Sequence, residues 1–282
     1  LQGGLLDGKI MLNLDSEDED ELTIGCAGGI DITISDEYIQ KPTNKKGLAY
    51  TLTVKGLKGG HSGMEIHIGR GNANKIMNRI LWMAQCKFGL RVNAINGGSL
   101  RNAIPRESVA SIVIPAKHKK AFKKFIKEQR TVLLAEHKTT DPEMQIVIEE
   151  RKLPKMVMKK FHQKLLLSAI YTNANGIYRM SPDVKDLVQT SNNLARVSVS
   201  KGKVEIQNLT RSAVDSEKMD LAYAIKAAYE NMGAKVVMDG SYPGWAPDPN
   251  ALINSLMTDI YTKEFGKKPH IMACHAGLEC GI

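Results

Sequence analysis

The sequence contains little cysteine, few aromatic residues and no long apolar run. Its 4 cysteines in 282 residues form no Cys-x-x-Cys pair, which excludes zinc-knuckle and thioredoxin-type motifs. A disulfide framework is not expected in a chain this long and poor in cysteine. We expect reduced thiols in the cytoplasm instead. Because no apolar run approaches about 18 residues, no membrane span is expected either.

The net charge of +9 is concentrated in two segments, 117–127 and 151–164. In the first, apolar residues such as Phe122 and Ile126 recur at helical spacing, which predicts an amphipathic helix with a solvated basic face. A basic nucleic-acid-binding domain stays a possible alternative, but the sequence shows no nucleic-acid motif, and 5% aromatic residues is low for base stacking. We expect neither a nucleic acid nor a membrane as partner.

A histidine lies in a glycine-rich turn, Gly56 to Gly63. The turn follows an alternating strand pattern, Tyr50 to Val54, and precedes a helical pattern, Asn72 to Gln85. A loop between two rigid elements holds a side chain in place and leaves it accessible. His61 is therefore a candidate functional residue, although an incidental surface histidine fits the pattern equally well.

A carboxylate directly follows a short apolar run near the start of the chain. Lys9 to Leu14 predicts a buried strand, and Asp15 stands at its C-terminal end. Ligands of open α/β sheets bind at that end of the strands. The acidic residues Glu17 to Glu21 are better explained as a solvated loop.

Two parts of the chain repeat one order of elements. Strand, strand, short polar step and helix occur at 88–128 and again at 193–232. We therefore predict a pseudo-duplicated α+β domain, in which helices cover one face of a mostly antiparallel sheet. Three prolines within 243–249 are typical of a rigid linker between domains.

Eight motifs occur in an order that resembles one family, the aminoacyl-histidine (Xaa-His) dipeptidases of the M20 metallopeptidases. They cover essentially the whole chain and lie at 13–17, 25–29, 59–63, 101–105, 189–194, 211–216, 242–245 and 275–281, and include Gly59-Gly60-His61-Ser62-Gly63, Arg101-Asn102-Ala103-Ile104-Pro105 and Tyr242-Pro243-Gly244-Trp245.

The resemblance implies an α/β zinc-peptidase catalytic domain with two zinc ions and an inserted lid domain that dimerises. Residues 1–29 and 241–282 would be two partial strips of the catalytic domain, and 30–240 would be the pseudo-duplicated lid. The resemblance also implies a homodimer through the lid, with the helix at 72–85 and nearby strand edges as candidate contacts.

Five residues match functional positions of the family. By the resemblance, Asp15 is a zinc ligand, and His61 polarises the scissile carbonyl, reaching the partner's active site in related dimers. Asn102 and Arg211 would hold the substrate, including its C-terminal carboxylate, and Gly277 would contact the substrate's end. From the residues alone, Asn102 is better explained as a turn residue and Arg211 as a surface charge at the start of a helix.

The family's other metal ligands and its general-base glutamate match nothing in this chain, which also begins with Leu1 rather than Met. One carboxylate cannot hold two zinc ions or activate their water. We therefore expect an internal fragment, inactive alone, of an enzyme that hydrolyses Xaa-His dipeptides such as carnosine with zinc-activated water. The alternative is a non-catalytic lid and dimerisation module.

Overall fold

The computed structural model describes residues 10–14 and 19–281. In this part the helices are α1 (Ala73–Phe88), α2 (Lys119–Glu136), α3 (Lys160–Thr172), α4 (Asp215–Glu230) and α5 (Leu252–Phe265). The strands are β1 (Glu21–Cys26), β2 (Gly28–Glu37), β3 (Gln40–Pro42), β4 (Gly47–Lys55), β5 (Gly60–His61), β6 (Arg91–Gly97), β7 (Ala103–Ile104), β8 (Ser108–Pro115), β9 (Gln145–Arg151), β10 (Met156–Met158), β11 (Gly176–Met180), β12 (Val188–Ser200), β13 (Lys203–Ser212), β14 (Lys235–Tyr242) and β15 (His270–Cys274). Within the same ranges, no helix combines the length and the apolar character that crossing a membrane requires.

One antiparallel sheet organises the fold. Its strand order is β14-β2-β13-β12-β6-β8-β4-β9, and β11 pairs with β12. In β2, Ile30, Ile32 and Ile34 are buried, whereas Asp31 and Thr33 stay partly exposed. Successive strand residues point to opposite faces, so one face is apolar. Residues of α1, α2, α3 and α4 join that face in a single hydrophobic core.

The sheet consists of two halves with the same connectivity. One half runs β4, α1, β6, β8, α2, β9, and the other runs β2, α3, β12, β13, α4, β14. The first half is inserted between β2 and α3 of the second. The halves join where β6 pairs with β12, for example Val199 with Ile95, and α1 packs against α3 beside this junction. The predicted pseudo-duplicated α+β fold is confirmed, and the repeats at 88–128 and 193–232 are β6-β8-α2 and β12-β13-α4.

Helix α1 begins where the helical pattern at 72–85 predicts and extends three residues beyond it, to Phe88. The Asn72 side chain accepts hydrogen bonds from the backbone N–H groups of Asn74 and Lys75, which satisfies donors that the first turn leaves open. Gly89 follows the helix with φ of 66°, a conformation that favours glycine. The Asn72 cap fixes the point at which the chain passes from the segment after the His61 turn into α1.

Two predicted elements differ in the structure. Residues 10–14 form no strand, and Ile10, Met11, Leu12 and Leu14 are exposed. A strand needs a neighbouring strand for its backbone hydrogen bonds, which apolar composition alone does not supply. The pattern at 250–265 predicts an amphipathic helix, and α5 forms there but buries none of its residues. The limits of 30–240 for the lid remain a prediction, since the sheet itself extends from Gly28 to Tyr242.

The segments that flank the sheet meet each other. Strands β1 and β15 pair in parallel, and Cys26 exchanges two backbone hydrogen bonds of 2.9 Å with Trp245. These contacts bring the segment that follows β15 against the C-terminal end of β13, where the candidate site lies.

Candidate functional site

The His61 turn is held against the Asn102 turn by a short ladder. Strand β5 pairs with β7, which places His61 opposite Ala103. The N–H of Ser62 donates to the carbonyl oxygen of Asn102 over 2.8 Å. His61 and Asn102, which are 41 positions apart in the sequence, therefore lie on adjoining turns, and Asn102 is exposed.

The hydrogen bonds of His61 define its tautomer. Its Nδ1 accepts from the backbone N–H groups of Gly63 (3.2 Å) and Met64 (3.0 Å), so the ring proton of the neutral imidazole is assigned to Nε2. Burial lowers the pKa of His61, and the positive charge of Arg211 lowers it further, although Glu65 opposes the shift. At neutral pH the ring is thus a neutral hydrogen-bond donor through Nε2.

Arg211 is buried at the end of β13, with 5% of its surface exposed. Its Nη1 donates to the phenol oxygen of Tyr242 over 2.8 Å, and its Nε has no hydrogen-bond partner among the described residues. A buried guanidinium with an unused donor is costly unless an anion completes it. Arg211 is therefore suited to bind a carboxylate.

Gly63 is the point at which three parts of the chain converge. A Cβ at this position would lie 2.3 Å from the carbonyl oxygen of His275, 3.2 Å from Arg211 Nε and 3.2 Å from His61 Cε1. The glycine thus lets the His61 turn approach both β13 and the segment after β15. His61 and Arg211, predicted separately, are brought together within a single chain.

Tyr242 connects Arg211 to Gly277. Its ring lies so close to two glycines that a Cβ at Gly29 would be 2.6 Å from the phenol oxygen, and one at Gly277 would be 2.8 Å from Cε2. Sequence reasoning placed Tyr242 in a motif without giving it a role. An aromatic residue directly before Pro-Gly at the end of a strand was the available signal.

His275 and Ser191 form a second buried pair that the sequence analysis missed. Ser191 Oγ lies 2.8 Å from His275 Nε2. Burial, with a smaller contribution from the charge of Arg211, lowers the pKa of His275 to about 3. This histidine is neutral at physiological pH, and it contributes to the packing behind Gly63.

The predicted zinc site is not formed by the residues that the structure describes. Within 10–14 and 19–281, no three His, Cys, Asp or Glu side chains form a group that could hold a metal ion. Asp15, the predicted ligand, lies outside the described residues. The donor set present at the candidate site, a neutral histidine, a buried arginine and amides, does not suit zinc.

Part of the chain matches a known peptidase domain. Residues 52–141 match the model of the peptidase dimerisation domain of M20 peptidases. This segment extends from β4 to the end of α2 and contains His61 and Asn102.

The whole chain matches two dipeptidases. It is 38% identical over 283 residues to the cytosol non-specific dipeptidase of Escherichia coli (strain K12), and the match covers 100% of this chain and 58% of that protein. The crystal structure of the aminoacylhistidine dipeptidase from Vibrio alginolyticus superposes with a TM-score of 0.96 at 37% identity, over 100% of this chain and 57% of that one. The chain therefore spans somewhat under three fifths of the length of these relatives.

Residues 52–141 are thus similar to an M20 peptidase dimerisation domain, and the chain is similar over its full length to part of these dipeptidases. The predicted resemblance to the M20 aminoacyl-histidine dipeptidases is confirmed.

Proposed function

We propose that the chain forms the substrate-binding lid of a dipeptidase that hydrolyses Xaa-His dipeptides. The observation that carries this proposal is the convergence of His61, Arg211 and Gly277 around Gly63 and Tyr242. Homology to two dipeptidases supports the reaction class.

Each residue has a role that its chemistry supports. Arg211 pairs with the C-terminal carboxylate of the dipeptide, because its unused Nε donor and fixed guanidinium favour an anion. His61 donates from Nε2 to the carbonyl oxygen of the scissile bond as negative charge develops there. Asn102 supplies a further amide contact from its exposed turn, and the backbone of Gly277 borders the end of the substrate.

M20 dipeptidases are generally metal-dependent, and we propose zinc as the metal, with Asp15 as one ligand. The described residues do not complete a ligand set, so the roles assigned here are limited to binding, orientation and hydrogen bonding. For the same reason we propose that the 282-residue chain alone does not turn over substrate. The Escherichia coli relative is named a cytosol enzyme, and we propose the same compartment.

The dimerisation domain supports a homodimer, but the structure limits where its contact lies. Strand β6, beside α1, already pairs with β12 of the same chain, so its edge is not available to a second copy. Helix α1 is also packed against α2 and α3. The contact through the helix at 72–85 and nearby strand edges stays a prediction, and we propose that the strand edges involved are those of β9 and β14, the outer strands of the main sheet. Light scattering tests the dimer, and a monomeric mass contradicts it.

The decisive experiment measures zinc content and hydrolysis of β-alanyl-histidine by this chain and by the full-length gene product. We expect turnover only in the full-length protein, and a loss of that turnover in His61→Ala and Arg211→Met variants. Zinc binding and turnover by the 282-residue chain would refute the proposed inactivity. Full activity of both variants in the full-length protein would refute the assigned roles.

A further inference from the structure

A cavity of about 330 Å³ lies between the start of α1, the end of α2 and the end of α3. Its lining includes Arg70, Lys75, Arg79 and Tyr171, and none of the candidate site residues described above. Volumes of roughly 300 Å³ and above are those of small-molecule sites. The cavity is thus large enough for a small ligand of its own.

One arginine of the cavity keeps part of its guanidinium open. Arg70 Nη1 donates to the carbonyl oxygen of Gly59 and to Glu65 Oε1, which lies 2.7 Å away. Within the described residues, its Nε and Nη2 donate to no protein atom. The Nε–Nη2 edge of a guanidinium matches the two oxygens of a carboxylate, so Arg70 can bind Glu65 and a ligand carboxylate simultaneously.

Three cations line the cavity, and they differ in their partners. Arg79 forms two hydrogen bonds with Glu136, at 2.7 and 2.9 Å, and Arg70 pairs with Glu65. Lys75 instead donates to three backbone carbonyl oxygens at the end of α3, so no carboxylate balances its charge. Burial lowers the pKa of Lys75 to about 8, which leaves it mostly protonated at pH 7. A third carboxylate, Asp141, lies behind the Gly71 wall, where its Oδ2 accepts from the Gly71 N–H over 2.8 Å.

The lining also contains apolar residues, beside the polar side chains of Asn72, Asn78, His137 and Asn175. Ile76, Leu133 and the ring of Tyr171 border the same space. Tyr171 is 46% exposed, so a ligand with a hydrocarbon body would cover its ring, whereas an inorganic anion would leave the ring in contact with water.

We propose that this cavity binds a small organic carboxylate, with its anionic group on the open edge of Arg70 and its apolar body along Tyr171 and Ile76. The binding does not depend on the dipeptidase reaction.

Hydrogen bonds connect the cavity to both candidate site turns. Glu65, the partner of Arg70, accepts from the backbone N–H of His61 over 2.7 Å. On the opposite wall, Asn72 donates to Asn175 over 2.8 Å and to Asn193 over 3.4 Å.

From this wall the chain of hydrogen bonds reaches Asn102. The Asn193 side chain donates to the carbonyl oxygens of Arg101 and Ala103, at 3.0 and 2.8 Å, and so holds the residues on either side of Asn102. A bound carboxylate is therefore expected to stabilise the His61 and Asn102 turns. This coupling bears on function through the role proposed above for those turns.

The structure supplies its own reporter for the binding test. Trp82 packs on Tyr171, with 5.0 Å between ring centroids. In a Trp245→Phe background of the 282-residue chain, benzoate is titrated at constant ionic strength and the fluorescence of Trp82 is followed, with calorimetry in parallel. We expect a saturable change with benzoate and markedly weaker binding of inorganic phosphate.

Arg70→Lys keeps the positive charge but removes the paired donors Nε and Nη2. It is expected to weaken the affinity for benzoate about tenfold, equivalent to about 1.4 kcal/mol. Lys120→Gln, an exposed α2 residue outside the cavity lining, is the matched control and should leave the affinity unchanged. If Arg70→Lys melts at a lower temperature, Tyr171→Leu provides a second variant, followed by calorimetry and again expected to bind benzoate more weakly.

Three results would overturn the binding site: no saturation, unchanged affinity in both cavity variants, or phosphate binding as tight as benzoate. Hydrogen exchange then tests the coupling, since benzoate should slow exchange of the His61 and Ser62 amides. Binding without that protection overturns the coupling, and catalysis is not needed for either measurement.

Discussion

The buried histidine behind the candidate site should make the fold acid-sensitive. His275 is 7% exposed, and its pKa is lowered to about 3. An unfolded histidine protonates near pH 6.5. As the pH falls from 7.5 to 5, the unfolded chain therefore takes up a proton that the folded chain does not, and acid favours the unfolded state.

The size of the effect follows from the two pKa values. Between pH 7.5 and pH 5, His275 alone should lower the free energy of unfolding by about 2 kcal/mol, because about 1.5 pH units of the window lie below the unfolded pKa and above the folded one. Well above pH 6.5 this group does not change the free energy of unfolding, and below pH 6.5 the free energy of unfolding falls steadily as the pH is lowered.

Urea unfolding at both pH values measures this difference. Trp245 is a suitable probe, because its backbone bonds to Cys26 place it in the same segment of the fold. His275→Gln removes the titrating group, and its stability should fall about 2 kcal/mol less than that of the parent chain over the same pH range. Equal falls in the two proteins would show that His275 is protonated in the folded state, and would refute the reasoning.

Three further substitutions test the site geometry by the free energy of unfolding in urea. Gly63→Ala places a methyl group 2.3 Å from the carbonyl oxygen of His275 and should lower the free energy of unfolding by about 1–3 kcal/mol. Gly69→Ala is the control: a Cβ there meets nothing within 4 Å, but φ is 71°, so the substitution should cost about 1 kcal/mol or less. An equal loss in both variants would contradict the clash at Gly63. Tyr242→Phe removes the acceptor of a buried guanidinium and should cost about 1.5–3 kcal/mol; an unchanged urea midpoint would mean that water replaces the phenol. Asn72→Ala removes the α1 cap together with its buried amide bonds and should cost about 1–2 kcal/mol or more; a smaller loss than that of an exposed α2 substitution would exclude the capping role.

Local patterns predicted the elements well because each is defined by neighbouring residues. The helical pattern at 72–85 corresponds to α1, and the repeated strand-strand-helix order at 88–128 and 193–232 corresponds to the two halves of the sheet. The failure at 10–14 has the same origin, since periodicity describes which residues could be buried but not whether another strand lies beside them.

The candidate site was predicted as separate residues and not as a site. The resemblance assigned roles to His61, Asn102, Arg211 and Gly277. It assigned none to Tyr242, Ser191 or His275, although each lies in one of the motifs. These last residues act through contacts between segments far apart in the chain, such as the phenol of Tyr242 against Gly29 and Gly277. Spacing along a sequence carries no signal for such contacts.

The sequence by itself determined the class of fold, the glycine turn that carries His61 and the family resemblance, because backbone propensity, burial periodicity and short motifs are local properties. Only the tertiary structure decided that β6 pairs with β12 inside one chain, that His61 and Arg211 therefore meet without a second copy, and that Arg70 borders a cavity. These features depend on which strand edges and side chains pack together once the apolar face is buried, and that choice is made by the whole chain at once.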